Sequence, residues 1–326
     1  MYQTQDNSNK VKILTVDSLF RDKNSSKSHK KTNNFQITYD EPINNVSKLE
    51  LVEYSGPTSI RIISDQIKNN VFKLTINHGV SSSVVHYVKT PDIFRIERNI
   101  MNNDSINNFV QNINTQLDII SNQYNDITSI KLLFLHEIDN EVSNNELVND
   151  RSVYFEIISN NATNIISIEV DFTKDENDND IILERSLGYI LGFREKSITI
   201  NNILTNHKAY RIKSDSSIDL NNNFKYAYLV LDDNTTNSDS TIVTQNMKST
   251  GVCSGSFKNG GNIIGKIIYR NELNYNFFNR VISTPREYFG NVDLVKFSVA
   301  LVNEYGDYID TQNLDWSFTL KLTTQY

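Results

Sequence analysis

Apolar residues in this chain come in short bursts, and that pattern restricts its fold more than any other feature. Twelve runs of six to ten residues, rich in β-branched and aromatic side chains, are separated by polar turns: 11–16, 34–39, 48–54, 70–76, 83–88, 129–135, 152–158, 165–172, 227–233, 262–269, 293–302 and 316–322. Runs of this length and spacing predict an all-β sandwich or barrel rather than alternating strands and helices. The end of the chain shows the rule in its plainest form. In "DWSFTLKLTT" the side chains of Trp316, Phe318, Leu320 and Leu322 fall on one face, and Ser317, Thr319, Lys321 and Thr323 on the other. A terminal strand frays unless another strand pairs with it and its apolar face is covered.

One segment has a different period. In "NNDSINNFVQNINTQLDIIS" the residues Ile106, Phe109, Val110, Ile113, Leu117 and Ile120 share one helical face, with Asp104 or Ser105 as N-cap. This predicts one amphipathic helix over about 104–121, lying on a sheet, with an outer face of Asn, Gln and Thr. A second short helix or turn is expected in "ERSLGYILGFRE" (184–195), where Gly188 and Gly192 permit close packing or a C-cap. The polar stretches 136–151, 174–180 and 232–240 read as exposed hairpin loops.

At 326 residues the chain can bury roughly three quarters of its unfolded surface, as one elaborate β domain or two ordinary domains. Asn is abundant and often paired, which suits turns. Four prolines and 11 glycines do not fit a disordered or collagen-like chain. The formal net charge of −7 disfavours a general nucleic-acid binder. One stretch runs against it: "RDKNSSKSHKK" carries Arg21, Lys23, Lys27, Lys30 and Lys31 against Asp22 alone. It reads either as a solvated basic loop or as an arm for an acidic neighbour, whether another subunit, a lipid headgroup or nucleic acid. A single cysteine, Cys253, allows no internal disulfide and points to a reducing compartment. No apolar run is long enough for a transmembrane helix, and "MYQTQDNSNK" is not a signal peptide. These features predict a soluble, intracellularly made protein.

The search for chemistry yields little. His78 and His86 flank the hairpin "GVSSS", but no third zinc ligand stands near them in the sequence. "DENDND" from Asp175 places Asp175, Asn177 and Asn179 at the first three calcium-loop positions. It then has Asp180 where glycine belongs and Ser186 where glutamate belongs, so a solvated turn is expected. There is no nucleophile elbow and no phosphate loop, and the glycine-rich "GVCSGSFKNGGNIIG" with Lys258 lacks the necessary spacing. Cys253 has no identifiable histidine partner. No catalytic residue, metal or cofactor is expected.

Both ends of the chain resemble a known family. "ILTVDSLFRDKN", followed by "NNFQITYDEPINNVSKLELVEYSGP", is similar to the opening of minor capsid or penton-type proteins of nucleocytoplasmic large DNA viruses. "LGYILGFRE" in the middle and "REYFGNVDLVKFSVALVNEYGDYIDTQNLDWSFTL" at the end resemble further signatures of that family. One departure is Leu19, which stands where the family pattern would have arginine. The resemblance implies a jelly-roll sandwich in the icosahedral shell of a giant virus. Residues 1–33 would form an N-terminal strand and basic arm. Residues 34–326 would form the jelly roll, with an insertion at about 92–205. It further implies that "VSKLELVEY" lies beside "DWSFTLKL", with Trp316, Phe318 and Leu320 between the sheets and Asp315 capping or pairing at the sheet end. A subunit contact is the alternative for Trp316.

On this basis the first functional expectation is a penton or minor capsid subunit. It would assemble with itself as a ring, possibly a pentamer, and with the major capsid protein and other minor capsid proteins, in virions assembled in the host cytoplasm. Its contact surfaces would be the arm from Arg21 to Lys31 and the approach "PREYFG" with Arg286, Tyr288 and Phe289, the core being the alternative for the two aromatics. No specific nucleic acid is expected as a partner. The alternative is a β-sandwich module that binds a glycan or host surface, for which a single Trp is a poor supply of stacking rings. A hydrolase with paired carboxylates is a third, unsupported reading.

Overall fold

The computed structural model describes residues 9–22, 30–57, 59–65, 67–79, 82–96, 103–134, 151–160, 165–201, 209–220, 226–233, 238–239, 262–268, 280–283 and 285–325. In chain order the strands are β1 (Asn9–Asp17), β2 (Lys30–Lys31), β3 (Asn34–Ser55), β4 (Ser59–Ile63), β5 (Val71–His78), β6 (Ser82–Lys89), β7 (Ile93–Ile96), β8 (Ile127–Phe134) and β9 (Val153–Ser159). They continue as β10 (Ile165–Asp171), β11 (Ser197–Asn201), β12 (Ala209–Lys213), β13 (Tyr226–Asp232), β14 (Ser238–Asp239), β15 (Ile263–Ile268), β16 (Arg280–Ser283), β17 (Arg286–Val302) and β18 (Ser317–Gln325). Helix α1 spans Asn103–Ser121 and the single-turn helix α2 spans Leu187–Ile190. The protein is all-β, built of curled antiparallel sheets. Each of the twelve apolar runs contributes to a strand.

Two compact units emerge, one from Met1–Arg61, Arg95–Arg98 and Phe224–Tyr326, the other from Ile62–Phe94 and Asn99–Asn223. The first holds a nine-stranded sheet in the order β1-β18-β3-β17-β13-β15-β16, with β2 on β3 and β14 on β17. The two ends of the chain are therefore neighbours. β18 lies between β1 and β3, pairing Phe318 with Val16 and Tyr54, and Leu320 with Leu14 and Leu51. Phe318, Leu320 and Leu322 point into the core with Leu49, Leu51 and Phe297. The sheet curls back on itself. Leu51 reaches Gly265 on β15 so closely that a Cβ there would lie 2.4 Å from a Leu51 methyl, and the Leu51 N–H donates to the Ser283 hydroxyl.

The runs 34–39 and 48–54 merge into one strand, β3, although "YDEPINN" lies between them. Pro42 lacks an N–H and would interrupt a regular ladder. The register absorbs it. Between the pairs Thr38–Lys296 and Ile43–Leu294, four residues of β3 stand opposite one of β17. Asn45 takes a positive φ of 59° and its N–H is held by Asp293. β17 bends in turn at Gly290, φ 97°, where four of its residues stand opposite Ser47.

In the second unit one sheet has the order β11-β10-β5-β6 and another β12-β9-β8. Helix α1 forms where its apolar stripe lies. Ile113 and Leu117 are fully buried, and the helix packs on β8 and β6. Asn114 closes the free edge of β8: its side chain donates to the Leu132 carbonyl at 2.9 Å and accepts from the Leu132 N–H at 2.7 Å. The N-cap expected at Asp104 or Ser105 gives way to a start at Asn103.

The glycines of 184–195 perform both expected tasks. Gly188 lies under Phe172, with no room for a Cβ. Gly192 ends α2 at φ 98°; its N–H donates to the Tyr189 carbonyl and the Phe193 N–H to the Gly188 carbonyl. That paired bonding needs a left-handed residue. A Cβ at Gly192 would also lie 1.9 Å from the Ser216 carbonyl oxygen. Gly192→Ala is therefore expected to destabilise by well over ~1 kcal/mol. Gly79→Ala, at φ 61° in open space, should cost only the backbone term of about 1 kcal/mol. Equal melting temperatures for the two variants would refute the steric argument.

Candidate interaction site at the N-terminal edge

The residues near the two chain ends that resemble the capsid family meet at one corner of the nine-stranded sheet. Asp17 at the end of β1 accepts the Leu19 N–H and starts a 3-10 turn over Ser18–Phe20. Ser18 extends the β1–β18 ladder: its N–H donates to the Trp316 carbonyl at 2.9 Å, and its hydroxyl accepts the Trp316 N–H and donates to Asp315. Arg21 donates both to the Ser18 carbonyl at 2.7 Å and to Asp315 at 2.9 Å. Asp315 thus pairs at the sheet end, and Arg21 clamps it within the chain. The chain is held again on its return. Trp316 donates its indole N–H to the Thr32 carbonyl at 2.7 Å, the hydroxyls of Thr32 and Thr311 lie 2.5 Å apart, and Asn33 donates to the Ile309 carbonyl.

Trp316 is buried among Phe35, Tyr54 and Phe318, with ring centroids 5.6 to 5.7 Å away. It fastens the last strand and, through Thr32, the far end of the basic segment. Of that segment, Lys31 is exposed in β2. Lys30 belongs to the same strand, and Lys23 and Lys27 lie outside the described residues. Leu19 and Phe20, just before it, are exposed, Phe20 to 76%.

The second expected contact surface divides. Arg286 and Tyr288 are buried, Tyr288 in line with its core alternative, because inward parity on β17 sends them into the sheet. Arg286 donates to Asp233 at 2.7 Å and to the Leu231 carbonyl at 2.9 Å, and Tyr288 donates to the same Asp233 oxygen at 2.6 Å. Burial first, and then the adjacent carboxylate, push the Tyr288 phenol far above its ordinary value, so it stays a neutral donor. Phe289, of opposite parity, is 69% exposed. Asp233 was not singled out by the sequence reading. The signal for it was an acid closing the apolar run "AYLVLDD".

His78 and His86 share one face of the β5–β6 hairpin, and what meets them is Tyr124. Its hydroxyl lies 2.6 Å from His86 Nε2, and His78 stacks on its ring. Burial holds the His86 pKa below its ordinary value, which favours the neutral ring. Among the described residues no group of three or more His, Cys, Asp or Glu could hold a metal ion. In the 174–180 turn Asp175 is buried and accepts the N–H groups of Asn177 and Asn179, while Lys73, Lys89 and Lys174 pair with Asp178, Glu176 and Asp180. The acids there organise and neutralise a turn. The loop 232–240 contributes the short strand β14. Cys253, Lys258 and residues 136–150 lie outside the described residues. No described helix is long and apolar enough to cross a membrane.

No protein family matches the chain, and no curated protein matches it. Among solved structures it is similar to the selenomethionine-labelled mavirus penton protein. The similarity covers 98% of this chain and 100% of that one, at 12% identity and a TM-score of 0.42.

Proposed function

We propose that the chain is a structural virion protein, a penton or minor capsid subunit of a large DNA virus. In this reading it assembles with itself and with a major capsid protein and other minor capsid proteins in an icosahedral shell built in the host cytoplasm. The second compact unit is read as an insertion in the jelly-roll chain. One observation carries the proposal. The segments that resemble the capsid family come from opposite ends of the chain, yet they form four adjacent strands, β1-β18-β3-β17, with "VDSLFRD" bonded directly to "LDW". The family-like residues of the two chain ends thus make one structural unit, while "LGYILGFRE" belongs to the other compact unit. Lys23, Lys27, Lys30, Lys31 and the exposed Phe289 are the contact residues in this proposal.

The test is the solution mass of the full-length chain by light scattering at two salt concentrations. It is compared with a variant in which Lys23, Lys27, Lys30 and Lys31 are replaced by Ser. Deleting the arm up to Asn33 would be a poor substitute, because it removes β1, Ser18 and the Thr32 carbonyl that Trp316 requires. A discrete ring is expected, weakened by salt and by the substitutions, because exposed charge pairs are screened. A monomer at every concentration and salt would refute self-assembly.

A further inference from the structure

Strand β1 ends the nine-stranded sheet, and no described strand pairs with its outer side. Native proteins protect such edges by keeping them short, bulged, interrupted by proline or covered. β1 is neither short nor bulged nor interrupted by proline: it runs nine residues in unbroken register with β18 and contains neither proline nor glycine. Its charged guards, Lys10 and Lys12, lie on the face opposite Val11 and Ile13. Lys10 and Lys12 pair with Thr324 and Leu322 and share the parity of Leu14 and Val16, which point toward the core. The opposite face carries Val11 and Ile13, 56% and 64% exposed, followed by Thr15. Charge is also graded along the strand, from Lys10 and Lys12 at its start to Asp17 at its end.

That gradient selects the partner. We propose that the outer edge of β1 pairs antiparallel with β1 of a second copy, about a two-fold axis at Ile13. In this register Ile13 meets Ile13, Val11 meets Thr15, Lys12 meets Leu14, Lys10 meets Val16, and Asn9 meets Asp17. Lysines then lie near the acidic end of the other copy and no like charges face one another. A parallel pairing would set each lysine against its own copy. The contact is isologous and would continue one sheet through two subunits. This inference rests on the reading that copies of the chain associate; a two-fold contact joins copies in pairs and is additional to the heterologous contact that closes a ring.

Cysteine cross-linking tests it in the full-length chain carrying Cys253→Ser. Opposed residues of an antiparallel pair have Cα atoms about 4.5–5.5 Å apart, within disulfide reach. Ile13→Cys should give a covalent dimer under mild oxidation. Val11→Cys alone should not, because positions 11 of the two copies lie about 14 Å apart at four strand residues' separation. A mixture of Val11→Cys and Thr15→Cys chains should cross-link as a heterodimer. Val52→Cys, exposed on β3 of the same sheet two strands away, is the negative control. In parallel, Ile13→Lys should weaken association by about tenfold and leave the melting temperature unchanged. If the wild-type chain associates but Ile13→Cys cross-links no better than Val52→Cys, this contact is wrong and the assembly reading stands. A wild-type chain that stays monomeric overturns both.

Discussion

Replacing Arg286 by Ala should lower stability by ~3–5 kcal/mol, because the Asp233 carboxylate would remain buried without its cation. Arg286 and Asp233 are both almost fully enclosed, at 3% and 2% side-chain exposure, so water cannot compensate. The loss goes beyond one ion pair. Arg286 also satisfies the Leu231 carbonyl, and Tyr288 donates to the same Asp233 oxygen, so the start of β17 and the end of β13 lose their shared polar knot. Urea denaturation of both proteins reads the effect, with an unchanged slope showing that the unfolded state is comparable. The triple variant Arg286→Met, Asp233→Leu, Tyr288→Phe should recover most of the loss, since an apolar replacement of the whole group leaves no unpaired charge. The deficit of Arg286→Ala should also shrink at low pH. A carboxylate buried without its cation is costly only while charged, so protonation removes the cost. A loss below about 1 kcal/mol would mean the group is far wetter than its burial implies.

Trp316→Ala is expected to cost a similar ~3–5 kcal/mol, the range for removing a buried aromatic ring. Phe35, Tyr54 and Phe318 would line the cavity, and the buried Thr32 would lose the donor to its carbonyl. Trp316→Phe separates the two contributions: most of the packing is retained, and the orphaned carbonyl costs ~1–3 kcal/mol. Because Trp316 is the only tryptophan of the chain, its fluorescence reports this corner alone. Emission should be blue-shifted in the native protein and move to the red as β18 is released. A water-like emission maximum in the native state would contradict its enclosure.

Much of this architecture was legible beforehand. Period-two alternation identified β18, and the i, i+3, i+4 spacing of Ile106, Phe109, Val110 and Ile113 identified α1, because local periodicity records which face a segment buries. The closing pair of β3 and β18 came instead from the resemblance. Other features left no local trace. Pro42 and the Asn pair at 44–45 mark a break between two strands, yet β3 bulges there against β17 and stays continuous. The sequence around Arg286 resembles an exposed Arg–aromatic anchor. Its burial depends on Asp233, 53 residues earlier in the chain, and on strand parity that sends Tyr288 inward and Phe289 outward.

By itself the sequence determined the class of the fold, the position of its long helix and the apolar face of its last strand. Each follows from interactions between residues a few positions apart. Only the tertiary structure decided which polar residues are partners: Arg21 with Asp315, Trp316 with Thr32, Arg286 with Asp233. It also decided that β1 would be the strand left at the edge. The physical reason is the same in each case. Pairing between residues far apart in the chain is selected by the burial of whole sheets, and a side chain's surroundings are fixed only when its sheet has chosen its neighbours.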